Sequence, residues 1–433
     1  MSAAPELPSI AVGDGLLLFD PQRVRAHGLN ASAALVWRTV EAMAREEGTA
    51  DPRTRPCDAD AVARRVADAV GGATAAPGPA TIRTQVADVV DHLVREGLVG
   101  GGHVGAEHHP DPTALPRATF GNVPFTAELA PSREDIAWAH RSGPYRGLDV
   151  VFRLACDDAD LGTYLARALA PLRLRDLQAP TPAPPEPDRG TTAVRRYEVV
   201  ARDRLLVLDD HVVARPGSDR SLAALVLWHV NQLVSETSSQ WLLHASAVVP
   251  AGGSAAVLFP AHMNSGKSTL AAALVSAGHG YVTDETVAVD LATSQVVPYP
   301  KAIALDPGSW PLLPHLAPDP DPRLDRFAHD KWYCDVEDLR PGAAVHTPVP
   351  VGAVVFPTYD PTRPTELTVV PPLEAAVELA QNSFNLVTVG QAGLMRLAEL
   401  AETRPCYRLL THDLPSALAA LAPLLAEAME PRR

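Results

Sequence analysis

Residues 261–269 read Ala-His-Met-Asn-Ser-Gly-Lys-Ser-Thr, and no other stretch restricts the fold of this chain as much. The run fits a phosphate-binding loop: a small residue, four variable positions, then Gly-Lys-Ser. An apolar segment at 254–259 precedes it and predicts a strand. A helix-forming segment at 267–277, closed by Gly278, follows. A strand delivering the chain through such a loop into a helix turns backbone N–H groups and a helix N-terminus toward one anion. The pattern therefore predicts an α/β domain. Its candidate nucleotide-binding residues are Ala261, His262, Met263, Asn264, Ser265, Gly266, Lys267, Ser268 and Thr269. The spacing gives Lys267 the β and γ phosphates of ATP, and the Ser268 hydroxyl a Mg²⁺ ion. Glycine-richer loops carry Gly where this chain has Ala261 and Asn264, and Asn tolerates the left-handed backbone region.

Asp284 and Glu285 lie directly after the predicted strand Gly280–Thr283. A carboxylate at a strand end beside a phosphate loop suits a Mg²⁺ ligand or a general base, and two adjacent acids can divide those roles. His244 sits in an apolar segment, 242–249, that predicts the preceding strand; it is either a core residue or a group that orients the acids. The chain has three lysines, Lys267, Lys301 and Lys331, all in one third of its length; every other basic residue is arginine. A lysine kept in such a sequence points to a need for a compact ammonium. Lys301 and Lys331 are candidates for phosphate contacts.

The 433 residues suffice for two or three domains. A net charge of −14 argues against nucleic acid as a partner. No apolar run is long enough to span a bilayer, and the first residues lack a basic patch followed by an apolar core. With four scattered cysteines and no C-x-x-C pair, the expectation is reduced thiols and a cytoplasmic location. Two Pro- or Gly-rich stretches, 100–122 and 179–192, read as linkers. Before the first, strands at 16–19 and 24–29 form a hairpin. Asn30 caps a helix, and helices follow at 58–70 and 79–96, together a winged-helix-like unit. Residues 146–238 read as mixed strands and helices. The stretch 325–338 mixes aromatics and acids and reads as a peptide-facing lid. The resulting division is 1–105, a linker 106–145, and 146–433 with a nucleotide-binding core at 241–305.

Leu243-His244-Ala245, the phosphate loop, Gly278 to Glu285 and Pro300 to Leu305 together resemble the catalytic domain of HPr kinase/phosphorylase, most closely the HPr-kinase-like proteins of ribosomal peptide natural-product pathways. The resemblance implies an α/β P-loop kinase-like fold, ATP and Mg²⁺ as cofactors, and Asp284 as base toward a serine or threonine hydroxyl. It further implies that His244 orients Asp284, that Lys267 acts in catalysis, and that Ser268, Glu285 and Asp284 hold the metal. The second acid is usually Asp, and no Gly-Arg-Asn segment of the HPr-directed enzymes is present. Leu16 to Asp20, Arg25 to Asn30 and Ala33 to Trp37 resemble PqqD-type domains, which bind the leader of a ribosomal precursor peptide as an added strand. The expected function is phosphorylation of a leader-bound precursor, with other pathway enzymes as candidate partners, an oligomer conceivable, and neither nucleic acid nor membrane involved. Two alternatives stand beside it: a non-catalytic peptide escort with weak nucleotide binding, and a kinase of a free small molecule such as an amino acid.

Overall fold

Ser9–Val12 (β1), Gly15–Asp20 (β2) and Arg25–Leu29 (β3) form an antiparallel sheet in the order β1-β2-β3. Asp20 shapes the hairpin turn: its buried carboxylate accepts from the Gln22 and Arg23 N–H groups at 2.9 and 3.2 Å, so a short side chain stands in for a backbone turn. The sequence predicts the β2–β3 hairpin but not β1, whose four residues are too few to show an alternation. Ala31–Glu46 (α1), Ala59–Val70 (α2) and Pro79–Arg95 (α3) cover one side. Asn30 caps α1 as expected, its side chain accepting from the Ala33 N–H at 3.0 Å. Trp37, Leu18, Val62 and Leu93 fill the core between sheet and helices. The structure, a computed structural model, describes residues 7–48, 52–54, 57–70, 79–99, 128–174, 194–263, 265–316, 327 and 331–427. Both predicted linkers, 100–122 and 179–192, lie outside the described residues.

The chain forms two compact units that divide it differently from the predicted 1–105, 106–145 and 146–433. Residues 1–116, 371–381 and 390–403 make one; 117–370, 382–389 and 404–433 make the other. The physical reason lies in two glycines. A Cβ at Gly28 would stand 2.8 Å from Val377 Cγ2, and one at Gly15 would stand 2.8 Å from Leu373 Cδ2. The helix Pro372–Gln381 thus lies against the hairpin, where only hydrogen leaves room, and it buries Ala375, Ala376 and Leu379. The next helix, Leu386–Thr403, breaks at Gly390 (φ 54°, ψ −137°), where the division falls.

In the second unit His140–Gly147 (β4), Val150–Cys156 (β5), Arg195–Val200 (β6), Leu205–Leu208 (β7) and His211–Ala214 (β8) form a five-stranded sheet in that order. β4 occupies the end of the stretch expected to be linker. Ala159–Ala168 (α4) and Asp219–Thr237 (α5) close this sheet's core around Phe152, Tyr197, Leu161 and Val226.

The larger sheet is built on Trp241–Val249 (β9), buried at every residue. Such a strand reads as a continuous apolar run because both faces are covered. Ala256–Pro260 (β10) pairs antiparallel with one edge of β9 and leads through the loop into Lys267–Ser276 (α6). Gly280–Thr283 (β11) and Thr286–Val289 (β12) share the other edge, and Gln295–Val297 (β13) follows β12. Ile303–Leu305 (β14) and Trp332–Cys334 (β15) make a separate pair. Val349–Tyr359 (β16) takes β13 at its start, then runs parallel to β10, then parallel to Cys406–Thr411 (β18). Glu366–Val369 (β17) borders β18. The pairings β10-β9-β12-β13-β16-β10 therefore close on themselves. Phe259, Leu274, Val355 and Leu421, the last from the closing helix Leu414–Glu427, fill the core beneath.

The chain is a mixed α/β protein. The lid expected at 325–338 is corrected over its described part, because β15 is hydrogen-bonded to β14 and Trp332, Cys334 and Val336 belong to the core. All four cysteines are free thiols. Among the described residues no helix is long and apolar enough to cross a membrane.

Candidate functional site

The phosphate loop leaves the end of β10, held at its start by the Ala261 N–H donating to the His244 carbonyl at 3.2 Å. Gly266 takes φ 84°, and a Cβ there would meet nothing within 4 Å. Glycine is required by conformation at this point, and the space beside it is open. The first helical bond runs from the Leu270 N–H to the Gly266 carbonyl. The amides of Lys267, Ser268 and Thr269 precede it, with no acidic side chain in the first turn and no side-chain cap. These are the donors a helix start offers to an external anion. The Ser265 hydroxyl oxygen is buried without a hydrogen-bond partner. Lys267 is 6% exposed, and its ammonium donates to the His262 carbonyl at 2.8 Å. Burial pulls the Lys267 ammonium down to about 8, against the pull of Glu285 and Asp284. An orphaned hydroxyl, an open cradle and a buried cation that donates to a carbonyl fit a polyphosphate. Met263 is 67% exposed at the pocket rim; Asn264 lies outside the described residues.

Asp284 and Glu285 are not at a free strand end. Thr283 stands opposite Ala247 and Thr286 opposite His244, so β11 and β12 are two halves of one ladder on β9, with the acid pair between them. An extended strand would send adjacent side chains to opposite faces. The chain bends here instead, and both carboxylates reach the same ammonium. Lys301 Nζ lies 2.9 Å from Asp284 Oδ1 and 2.9 Å from Glu285 Oε2. Asp284 Oδ2 accepts from the Ala304 N–H at 3.0 Å, and the Tyr281 hydroxyl lies 3.2 Å from Oδ1 and 2.8 Å from the Lys301 carbonyl. Asn231 on α5 donates to Glu285 Oε2 at 3.4 Å and accepts from the Tyr299 hydroxyl at 2.8 Å. Burial alone would raise the Glu285 carboxyl; the charge and hydrogen bond of Lys301 outweigh it and hold it at about 2.

His244 lines the same pocket from β9, while the contacts the structure gives the Asp284 carboxylate come from Lys301, Tyr281 and Ala304. Burial first, and Lys267 second, push the imidazole down to about 3, so it is neutral near pH 7. Its backbone N–H donates to the Asn382 carbonyl at 2.6 Å, and the Phe384 ring packs 5.3 Å from its own.

One pocket thus brings together His244, Lys267, Ser268, Asp284 and Glu285, with Lys331 at its edge. The chain's three lysines meet here: Lys267 in the loop, Lys331 in the lining, Lys301 on the acids. Lys301 is corrected as a phosphate contact, its ammonium being taken by carboxylates. Sequence reasoning missed Tyr281, three residues before Asp284, and Asp306, which also lines the pocket. It missed Asn231 and Tyr299 as well. No local signal links a helix residue to an acid pair more than fifty positions later, whereas Tyr281 was within reach of the motif.

Among the described residues no group of three or more His, Cys, Asp or Glu side chains is placed to hold a metal. Ser268 and the Glu285 carboxylate fit a Mg²⁺ that draws its other ligands from phosphate oxygens and water, as this ion commonly does.

Compared with protein-family models, the chain matches none. Compared with curated proteins, it likewise finds no match.

Proposed function

We propose that the protein is an ATP-dependent kinase acting on a serine or threonine hydroxyl of a ribosomally made precursor peptide. The observation that carries this reading is the buried Lys267 of a phosphate loop sharing one pocket with an anchored pair of carboxylates. The peptide as substrate rests on the likeness of residues 16–37 to leader-binding domains, and the kinase-like fold on the likeness at 242–305.

Bound with Mg²⁺, ATP supplies the phosphoryl group and the metal offsets its charge. Lys267 turns from the His262 carbonyl to the phosphates, and the amides of 267–269 with the Ser265 hydroxyl complete their cradle. The Ser268 hydroxyl would hold the metal. Asp284 accepts the proton of the acceptor hydroxyl as that oxygen bonds to phosphorus and the bond to the leaving diphosphate breaks. A carboxylate oxygen has two lone pairs. Lys301 and Tyr281 address Oδ1 and Ala304 one side of Oδ2, which leaves one position on Oδ2 for that proton. Neutral His244 borders the site without adding charge. Most of the rate gain in such a site is positioning and charge neutralisation.

The test is the intact mass of the precursor peptide encoded beside the gene, after incubation with protein, ATP and Mg²⁺. The expected gain is about 80 Da for one phosphate. Asp284→Asn and Lys267→Ala should each slow transfer by about 10²–10⁴-fold. Transfer that survives both substitutions removes the mechanism. Peptide binding without a mass gain favours the escort reading, and transfer to a free amino acid favours the small-molecule kinase.

A further inference from the structure

Resting on the reading that Asp284 and Glu285 are the working acids, we infer that Lys301 is the resident cation of this pair: it positions Asp284 and closes the notch between the two carboxylates to a divalent ion. Lys301 is 6% exposed and Asp284 1%, so neither pairs in bulk water. Its Nζ stands 2.9 Å from an oxygen of each acid. A divalent ion bridging the same two oxygens would need that position, at about 2.0–2.1 Å from each for Mg²⁺. One notch cannot hold both cations.

Lys301 is fixed from both sides. Its N–H donates to the Tyr299 carbonyl at 2.8 Å, and its carbonyl is met by the Tyr281 hydroxyl at 2.8 Å. Tyr281 also reaches Asp284, and Tyr299 reaches Glu285 through Asn231. Two buried tyrosines therefore lock the lysine and its two acids into one frame. The side of Glu285 away from Lys301 remains: its side chain is 27% exposed, and the contacts from Lys301 and Asn231 both fall on Oε2. Glu285 on that side and Ser268, which lines the same pocket, would hold a metal carried in with the nucleotide, instead of the notch between the acids. Lys301 is thus a positioning residue that confers order on the site: the acids are set before any metal arrives, and the metal enters with its nucleotide.

The test is Mn²⁺ titration of the full-length, nucleotide-free protein, read as free Mn²⁺ by electron paramagnetic resonance. Wild-type protein should leave Mn²⁺ free into the millimolar range. Lys301→Met should bind it about tenfold or more tightly, since two carboxylates lose their counter-charge. Adding Glu285→Gln should abolish the gain, and Lys301→Arg should restore wild-type behaviour. Micromolar Mn²⁺ binding by the wild type that Asp284→Asn removes would overturn the inference, and needs no folded Lys301 variant. A folded Lys301→Met protein with no gain would overturn it too. The titration uses neither ATP nor peptide, so a protein that follows this pattern yet transfers no phosphate defeats the kinase reading alone.

Discussion

At Tyr281 a single hydroxyl serves two buried acceptors, the Asp284 carboxylate and the Lys301 carbonyl. Tyr281→Phe keeps the ring in its core and removes only that contact. A buried acceptor left unmet costs about 1–3 kcal/mol. Urea denaturation should show a loss in this range, and phosphoryl transfer should fall with it because Asp284 has lost one of its anchors. At this scale the contiguous motif was legible: loop, acid pair and His244 share one pocket as their spacing implies. The rarity of lysine was a usable signal, since all three converge on the site. What remained hidden was which cation faces which anion. That depends on the bend at Asp284 and Glu285, which sends both acids to Lys301 where a regular strand would have separated them.

Among the elements, the phosphate loop and the hairpin depend on glycine for different reasons. Gly266 is left-handed with open space beside it. Gly266→Ala therefore brings no clash, only the left-handed penalty of about 1–2 kcal/mol. The expected result is a protein whose melting temperature barely changes but whose nucleotide affinity, measured calorimetrically, drops about tenfold. Gly28 has an ordinary backbone and no room. Gly28→Val drives methyl groups into Val377 and should cost about 1–3 kcal/mol by chemical denaturation, with the helix Pro372–Gln381 the first to lose hydrogen-exchange protection. Elements with a strong period or a long apolar run were readable, α1, α5 and β9 among them. Short strands were not. β1 and β4 are defined by the neighbours they pair with, and β4 carries a Gly-Pro step that reads as a loop in isolation.

Taken as a whole, the molecule keeps charge-bearing rings in both units neutral by burial. His27 is 8% exposed and His229 2%, and burial, helped by nearby arginines, holds each at about 4 instead of 6.5. A lowered histidine favours the neutral form in the folded state. The unfolded chain then binds more protons between those values, so stability is fully present above pH 6.5 and drains away as pH falls toward 4. At pH 5 each histidine should cost about 2 kcal/mol relative to pH 7. Denaturation midpoints at the two pH values check this, and His229→Gln should flatten the second unit's share of the slope.

The hairpin of the first unit is completed by a helix encoded some 340 residues later. A cut at residue 105 thus parts the hairpin from a helix of its own compact unit. The amino-terminal piece would be expressed with Gly15 and Gly28 facing solvent, and the remainder would carry Leu373 and Val377 with nothing to cover them. Neither half is a portable part. Grafting the amino-terminal unit onto another protein, or inheriting it by simple fusion, would require moving two stretches of sequence at once.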